Sequence, residues 1–235
     1  MNKTIYLSPS TQEKNIGVGN YGTEEKRMNQ VADVTERVLK QHGLVVYRNK
    51  PEMTLAQVVA DSNGKKPDIH FAIHSNAGSG NNRGCEVYCH KFGGNGEKLA
   101  RAIYTEIEPN TPSRDRGVKE GCNHYGKGKP LYELAYTTAP AALIEIAYHD
   151  NKDDAVWIIN NIEVIGTVIA KGILKYFDIP FQQQNSRLEN DINILNKLGL
   201  ISSPDYWNEN AVKGRVVKGE YAATLIKKAA DMLSK

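Results

Sequence analysis

The feature that most restricts the fold of this chain is an alternation. Through the first 180 residues, short apolar runs of strand period are separated by stretches of helical period. Residues 4–7, 44–47, 68–75, 85–89 and 140–148 read as strands bounded by Gly, Pro, Asn or Asp. Between them Met28, Val31, Thr35, Val38 and Leu39 recur at helical spacing and stop at His42-Gly43. Further helices are expected over 54–61, 96–106 and 153–176, with a long Gly-, Pro- and Asn-rich surface loop over 109–130. Parallel strands need crossover connections, and helices of this length supply them. The pattern predicts an α/β fold with a mostly parallel central sheet flanked by helices.

The end of the chain follows a different rule. Ile179-Pro180-Phe181 and the Gln-rich stretch after it read as a hinge. Beyond it, Leu188, Ile192, Leu195 and Leu198 share one helical face that stops at Gly199. Ser203-Pro204-Asp205 has the form of a capped helix start leading to Trp207, and Tyr221, Leu225, Ala229 and Met232 make a third stripe. The expected division is a domain over 1–180, a linker over 181–187 and a small all-helical C-terminal domain over 188–235. So short a unit buries a small core, which predicts docking on another surface or homo-oligomer formation through these helices.

Composition narrows the function classes. Hydrophobic residues at 40% and charged residues at 24% describe a globular chain. A net charge of +3 is too mild to imply nucleic acid. Apolar runs such as 139–147 are far shorter than the roughly 20 residues of a membrane span, so membrane insertion is not expected. Pro9 interrupts the start before an apolar signal core forms, so no secretory signal is expected. Cys85, Cys89 and Cys122 form no CxxC pair and leave one odd, which predicts buried thiols rather than a disulfide framework.

Four residues stand out chemically. Alternation in 69–76 sends Ile69, Phe71 and Ile73 to one face and His70, Ala72 and His74 to the other. His74 therefore lies at the carboxyl end of a strand, where open α/β sheets form their ligand crevice. Glu25 starts the first helix, whose N-terminus faces the same edge. Glu145 interrupts the apolar run 140–148, and a carboxylate there must be paired, bound to metal or held with a raised pKa. His149 follows two strand steps later and shares its parity if the strand persists. Two carboxylates and two imidazoles on one rim are the inventory of a zinc hydrolase. Ser8 and Ser10 lack a nucleophile elbow and read as turn residues, and 17–22 reads as a loop rather than a dinucleotide fingerprint.

These stretches resemble the zinc-dependent N-acetylmuramoyl-L-alanine amidases of the amidase-3 type, found among bacterial autolysins and phage endolysins. The resemblance covers residues 3–178. Glu25-Lys26-Arg27-Met28-Asn29 resembles the segment in which a glutamate ligand opens the first helix. Ala72-Ile73-His74-Ser75-Asn76-Ala77 resembles the histidine-ligand segment, and Gly84-Cys85-Glu86-Val87-Tyr88 the strand that follows. Ala139-Pro140-Ala141-Ala142-Leu143-Ile144-Glu145 resembles the segment carrying the catalytic glutamate. The family's usual Pro-Gly-His-Gly loop is replaced here by Leu7-Ser8-Pro9-Ser10-Thr11-Gln12, which lacks the imidazole.

The resemblance implies a Zn2+ cofactor held by Glu25 and His74, with His149 or Gln12 as third ligand. It implies Glu145 as the catalytic base. The substrate is then bacterial peptidoglycan, cleaved between N-acetylmuramic acid and L-alanine by zinc-activated water, with Asn76, Tyr88, Asn123, His124 and Tyr125 as candidate substrate contacts. The alternative is a non-catalytic cell-wall binding relative of the same fold. The helical end would serve wall targeting or assembly. Synthesis in the cytoplasm, followed by release to the wall on phage or mother-cell lysis, is the expected localisation.

Overall fold

The computed structural model describes residues 2–112, 116–182, 186–212 and 214–234. The chain divides into two compact units, Met1–Phe181 and Gln182–Lys235. The first holds a six-stranded sheet of β1 (Thr4–Pro9), β2 (Val45–Arg48), β3 (Ile69–Asn76), β4 (Glu86–Cys89), β5 (Val118–Glu120) and β6 (Ala141–Tyr148). Spatial order is β2-β1-β3-β6-β4-β5, and every pairing is parallel except β4 with β6. Helices cover both faces, as the alternation predicts.

One face of the sheet is largely apolar at its centre. Ile69, Phe71 and Ile73 of β3 and Ala142, Ile144 and Ile146 of β6 point into a core shared with α1 (Glu24–Gln41), α3 (Asn95–Ile107) and α6 (Ile162–Tyr176). The stripe Met28, Val31, Thr35, Val38 and Leu39 is the buried side of α1. Two glycines let α6 approach its neighbours. A Cβ on Gly166 would lie 2.5 Å from the Val34 side chain, and one on Gly172 would lie 2.4 Å from the Ile103 backbone. The other face packs Ala72, Tyr88, Ala141 and Leu143 against Leu131 and Leu134 near α4 (Tyr132–Tyr136). Here α2 (Leu55–Lys65) also lies, started by a reciprocal capping box between Thr54 and Gln57.

Three elements differ from the sequence pattern. The helix expected over 153–176 is two helices, α5 (Lys152–Asn160) and α6, bent by 78°. At Asn161, between them, φ is −125°, and the Asn161 side chain donates to the Trp157 carbonyl, which ends the first helix. The loop over 109–130 contains β5, too short to show a period. Strand β1 runs to Pro9, placing Ser8 within the sheet. Among the described residues, no single helix is long and apolar enough to cross a membrane.

The second unit contains α7 (Ser186–Lys197), α8 (Pro204–Asn210) and α9 (Gly219–Leu233) around Ile192, Ile201 and Trp207. The expected linker falls in part on 183–185, outside the described residues.

Candidate active site

Three adjacent strands place three side chains side by side. His74 of β3 pairs in register with Glu145 of β6, which pairs with Glu86 of β4. Alternation keeps them on the face opposite the apolar core. The N-terminus of α1, started by a Thr23 side-chain cap on the Lys26 amide, brings Glu24 to this edge. Nδ1 of His74 lies 2.8 Å from Glu24 Oε1. The other oxygen of Glu24 accepts from Asn15 Nδ2 at 2.5 Å. Across the ring, Nε2 of His74 lies 3.7 Å from Glu133 Oε2. Glu133 is buried, and its Oε1 accepts from Ser8 Oγ at 2.5 Å and from His70 Nε2 at 3.3 Å. His70 is anchored in turn by Ser62 Oγ at 2.9 Å from its Nδ1.

The imidazole of His74 is thus bracketed by carboxylates. Burial works against its charge, but Glu133 and Glu24 raise its pKa well above the ordinary imidazole value. Burial pushes both carboxyls up, yet Glu133 is held far below its usual range by His70 and His74, and Glu24 below its own by His74 and Asn15. Glu145 behaves in the opposite sense. Its Oε2 is buried with no hydrogen-bond partner among the described residues. Burial pushes its pKa up to about 8, with Glu24 and Glu86 adding to the rise and His74 opposing it. A pair of acids driven apart in this way is the electrostatic mark of an acid–base site.

Glu86 anchors the wall beside Glu145. It accepts from Tyr88 Oη and Asn76 Nδ2 at 2.9 Å each and from Arg116 Nε at 2.8 Å, and it pairs with Lys119. Burial raises its carboxyl, but Lys119 and Arg116 outweigh that and hold it low. His124 meets the Tyr88 ring edge-on at 5.0 Å between centroids, and Tyr125 at 4.5 Å. Tyr125 is 67% exposed. Asn123 is used locally, accepting from the Gly128 amide at 2.7 Å.

The sequence candidates are therefore not all brought together. His74 and Glu145 adjoin. The carboxylate that meets His74 belongs to Glu24, one position before Glu25. Glu25 is half-buried, and its backbone carbonyl accepts from Asn29 Nδ2. His149 is turned elsewhere because the β3–β6 register shifts. His74 pairs with Glu145 but Asn76 pairs with Tyr148, so β6 carries one extra residue and parity reverses. His149 is fully buried, 2.9 Å from Ser75 Oγ through Nδ1 and 3.2 Å from Asn15 Oδ1 through Nε2. Asn15 links it to Glu24. Gln12 is exposed and lines an open cleft with Asn15 and Met53.

Glu24, Glu86 and Glu133 are the residues that the sequence reading passed over. Two of them carried a signal. Glu24 precedes Met28 and Val31 by four and seven residues, which places it on the buried stripe of α1. Glu86 shares the parity of Tyr88, opposite the core-facing Val87 and Cys89. Glu133 lies in a five-residue helix with no readable period.

Zinc takes nitrogen from imidazole and oxygen from carboxylates. Glu24 and His74 offer one of each in contact, and the orphaned Glu145 oxygen is a buried acceptor that an ion's water would satisfy. These two donors are of the type such an ion takes. They fall short of a closed protein shell: among the described residues, no three of His, Cys, Asp or Glu are gathered into a metal-holding group.

Fold and site together define an α/β protein that gathers Glu24, His74, Glu133 and Glu145 at the carboxyl edge of its sheet. The chain belongs to the N-acetylmuramoyl-L-alanine amidase family, whose sequence profile matches residues 5–175. Bacillus subtilis YqiI, an uncharacterized protein, is 28% identical over 160 residues, covering 65% of this chain and 73% of that protein. The N-acetylmuramoyl-L-alanine amidase LytC of Bacillus subtilis is 28% identical over 162 residues, covering 65% of this chain and 31% of LytC. Among solved structures, Cwp6 from Clostridium difficile superposes with a TM-score of 0.67 at 30% identity, covering 75% of this chain and 29% of Cwp6. The chain thus matches less than a third of the length of both LytC and Cwp6.

Proposed function

We propose that this chain is a zinc-dependent peptidoglycan hydrolase that cleaves the amide between the lactyl group of N-acetylmuramic acid and the L-alanine of the stem peptide. The observation that carries the reading is Glu145, a half-buried residue with one buried, unpartnered carboxylate oxygen and a pKa pushed up to about 8, set in register beside His74. Without a use, such a group is a net cost to the fold. Family membership supports the bond and the substrate class.

Glu24 and His74 would hold the ion. When bound, zinc supplies Lewis-acid polarisation of the scissile carbonyl and lowers the pKa of its water toward about 7. Glu145 performs the proton work, accepting a proton from the attacking water and returning it to the leaving amine. A cation nearby also favours the ionised carboxylate that a base requires. Glu86, clamped by Arg116 and Lys119, holds Tyr88 and Asn76 along one wall of the groove. The Tyr88–His124–Tyr125 series offers ring faces and edges to a glycan or peptide.

The test is chemical. Purified cell walls incubated with the zinc-loaded protein should release new alanine N-termini but no new reducing sugar ends. Reducing ends without alanine N-termini would mean a glycosidase, and neither product would favour a wall-binding relative.

A further inference from the structure

We propose that Arg116 is a specificity residue, donating to the carboxylate carried by the stem-peptide residue that follows L-alanine, with Lys119 lending its charge to the same group. This assignment rests on the peptidoglycan reading above and deepens it by naming the part of the peptide that one wall of the site selects.

Positive charge is in excess on the wall beside Glu145. Two cations, Arg116 and Lys119, converge on one oxygen of Glu86, its Oε2. The other oxygen accepts from Tyr88 Oη and Asn76 Nδ2. Four donors therefore saturate a carboxylate whose side chain is 3% exposed, and one unit of positive charge is left over. The two cations are the accessible members of the group, with side chains 29% exposed for Arg116 and 37% for Lys119. A guanidinium has five N–H donors in a fixed fork. Glu86 takes Nε of Arg116 at 2.8 Å, and neither terminal nitrogen donates to a described residue. The Tyr148 ring centre lies 5.2 Å from the guanidinium carbon and braces it. A braced, accessible fork with spare donors is suited to a second carboxylate.

Position and chemistry identify that carboxylate. Glu86 is the antiparallel partner of Glu145, so about 5 Å separates their Cα atoms. Arg116 lies one hydrogen bond beyond Glu86. On the glycan side, the lactyl carboxyl is consumed in the scissile amide and leaves no anion. On the peptide side, the glutamate after L-alanine is linked onward through its γ-carboxyl, which leaves its α-carboxyl free or amidated. Backbone dimensions put that carboxyl within about 7 Å of the scissile nitrogen. A cation one strand away from the base meets this group first. Cations that served Glu86 alone would not distinguish its free form from its amide.

The probes are N-acetylmuramoyl-L-alanyl-D-isoglutamate and its α-amide, which differ in that group alone. Affinity for each is measured by calorimetry on the zinc-loaded full chain carrying Glu145→Gln, and kcat/KM on the zinc-loaded wild type. We expect the acid to be preferred by about 10–100-fold, the usual worth of hydrogen bonds to a charged group. The preference should lie in KM and shrink with added salt. Arg116→Gln should bring the ratio to within about threefold of unity, leaving the weak pull of Lys119. Arg116→Lys, which keeps the charge but not the fork, should restore part of it. The ratio cancels damage common to both probes. A ratio near one before Arg116 is changed, no binding of either probe, or a preference that survives Arg116→Gln overturns the assignment. Acid-selective binding with no cleavage by wild type upholds it and defeats the hydrolase reading instead.

Discussion

Replacing Glu145 by glutamine should cut turnover sharply and, in the metal-free protein, raise stability by an amount that grows with pH. The carboxyl has a pKa of about 8 in the fold against an ordinary 4.5 in the unfolded chain. Between those values the folded form keeps a proton that the unfolded form has lost, so stability falls as pH rises. The loss begins near pH 4.5 and is complete above about 8. At 1.36 kcal/mol per unit, wild type should lose about 3 kcal/mol relative to Glu145→Gln between pH 5 and pH 8. The neutral amide has no such dependence, and a constant offset from its different hydrogen bonding cancels in the pH difference. Urea unfolding of both proteins in chelator, at several pH values across this window, reads the quantity. Turnover should drop by a factor of about 10²–10⁴, the usual worth of a general base. Parallel stability profiles would refute the reasoning, because the Glu145 carboxyl would then not be held protonated by its surroundings in the fold.

Other substitutions probe the surrounding parts. Glu24→Gln should lower zinc affinity and turnover by at least about tenfold, whereas Glu25→Gln should leave both near wild type; equal losses would refute the placement of Glu24. The Glu86 carboxyl is held below its ordinary 4.5 by Lys119 and Arg116 despite burial. Its stabilising contribution is therefore whole above that pH and lost as pH falls further, and Glu86→Gln should flatten the acid limb of a thermal-unfolding profile. An acid limb of unchanged slope would contradict the clamp. Gly166→Ala puts a Cβ 2.5 Å from Val34 and should cost about 1–3 kcal/mol in urea unfolding, with activity per folded molecule retained. A neutral result would mean that α1 and α6 are less closely packed.

The parts of this architecture legible in the sequence are those with a period. Two-residue alternation around His74 separated Ile69, Phe71 and Ile73 from the site face, and the buried stripe of α1 followed its helical spacing. Glu145 was visible because a charge in an apolar strand has few physical excuses. The misplacements came from effects without a local signature. The extra residue in β6 reverses the parity of His149, and nothing between Glu145 and Asp150 announces it. The choice between Glu24 and Glu25 turns on one helical step of 100°, which the spacing to Met28 and Val31 resolves once it is measured. Glu133 depends on a short helix closing over the site face from across the sheet, a tertiary arrangement that no local pattern encodes.

The most direct test of the account measures zinc and bond cleavage on one preparation. Metal content is determined by elemental analysis, and new alanine N-termini are counted on purified walls before chelation, after chelation and after zinc is restored. The account predicts about one zinc per chain, loss of cleavage on chelation, recovery with zinc, and cleavage at least about 10²-fold slower by Glu145→Gln even when loaded. A chain that binds no zinc and releases no alanine N-termini with added metal would contradict it. The buried acids around His74 would then belong to a wall-binding member of the family.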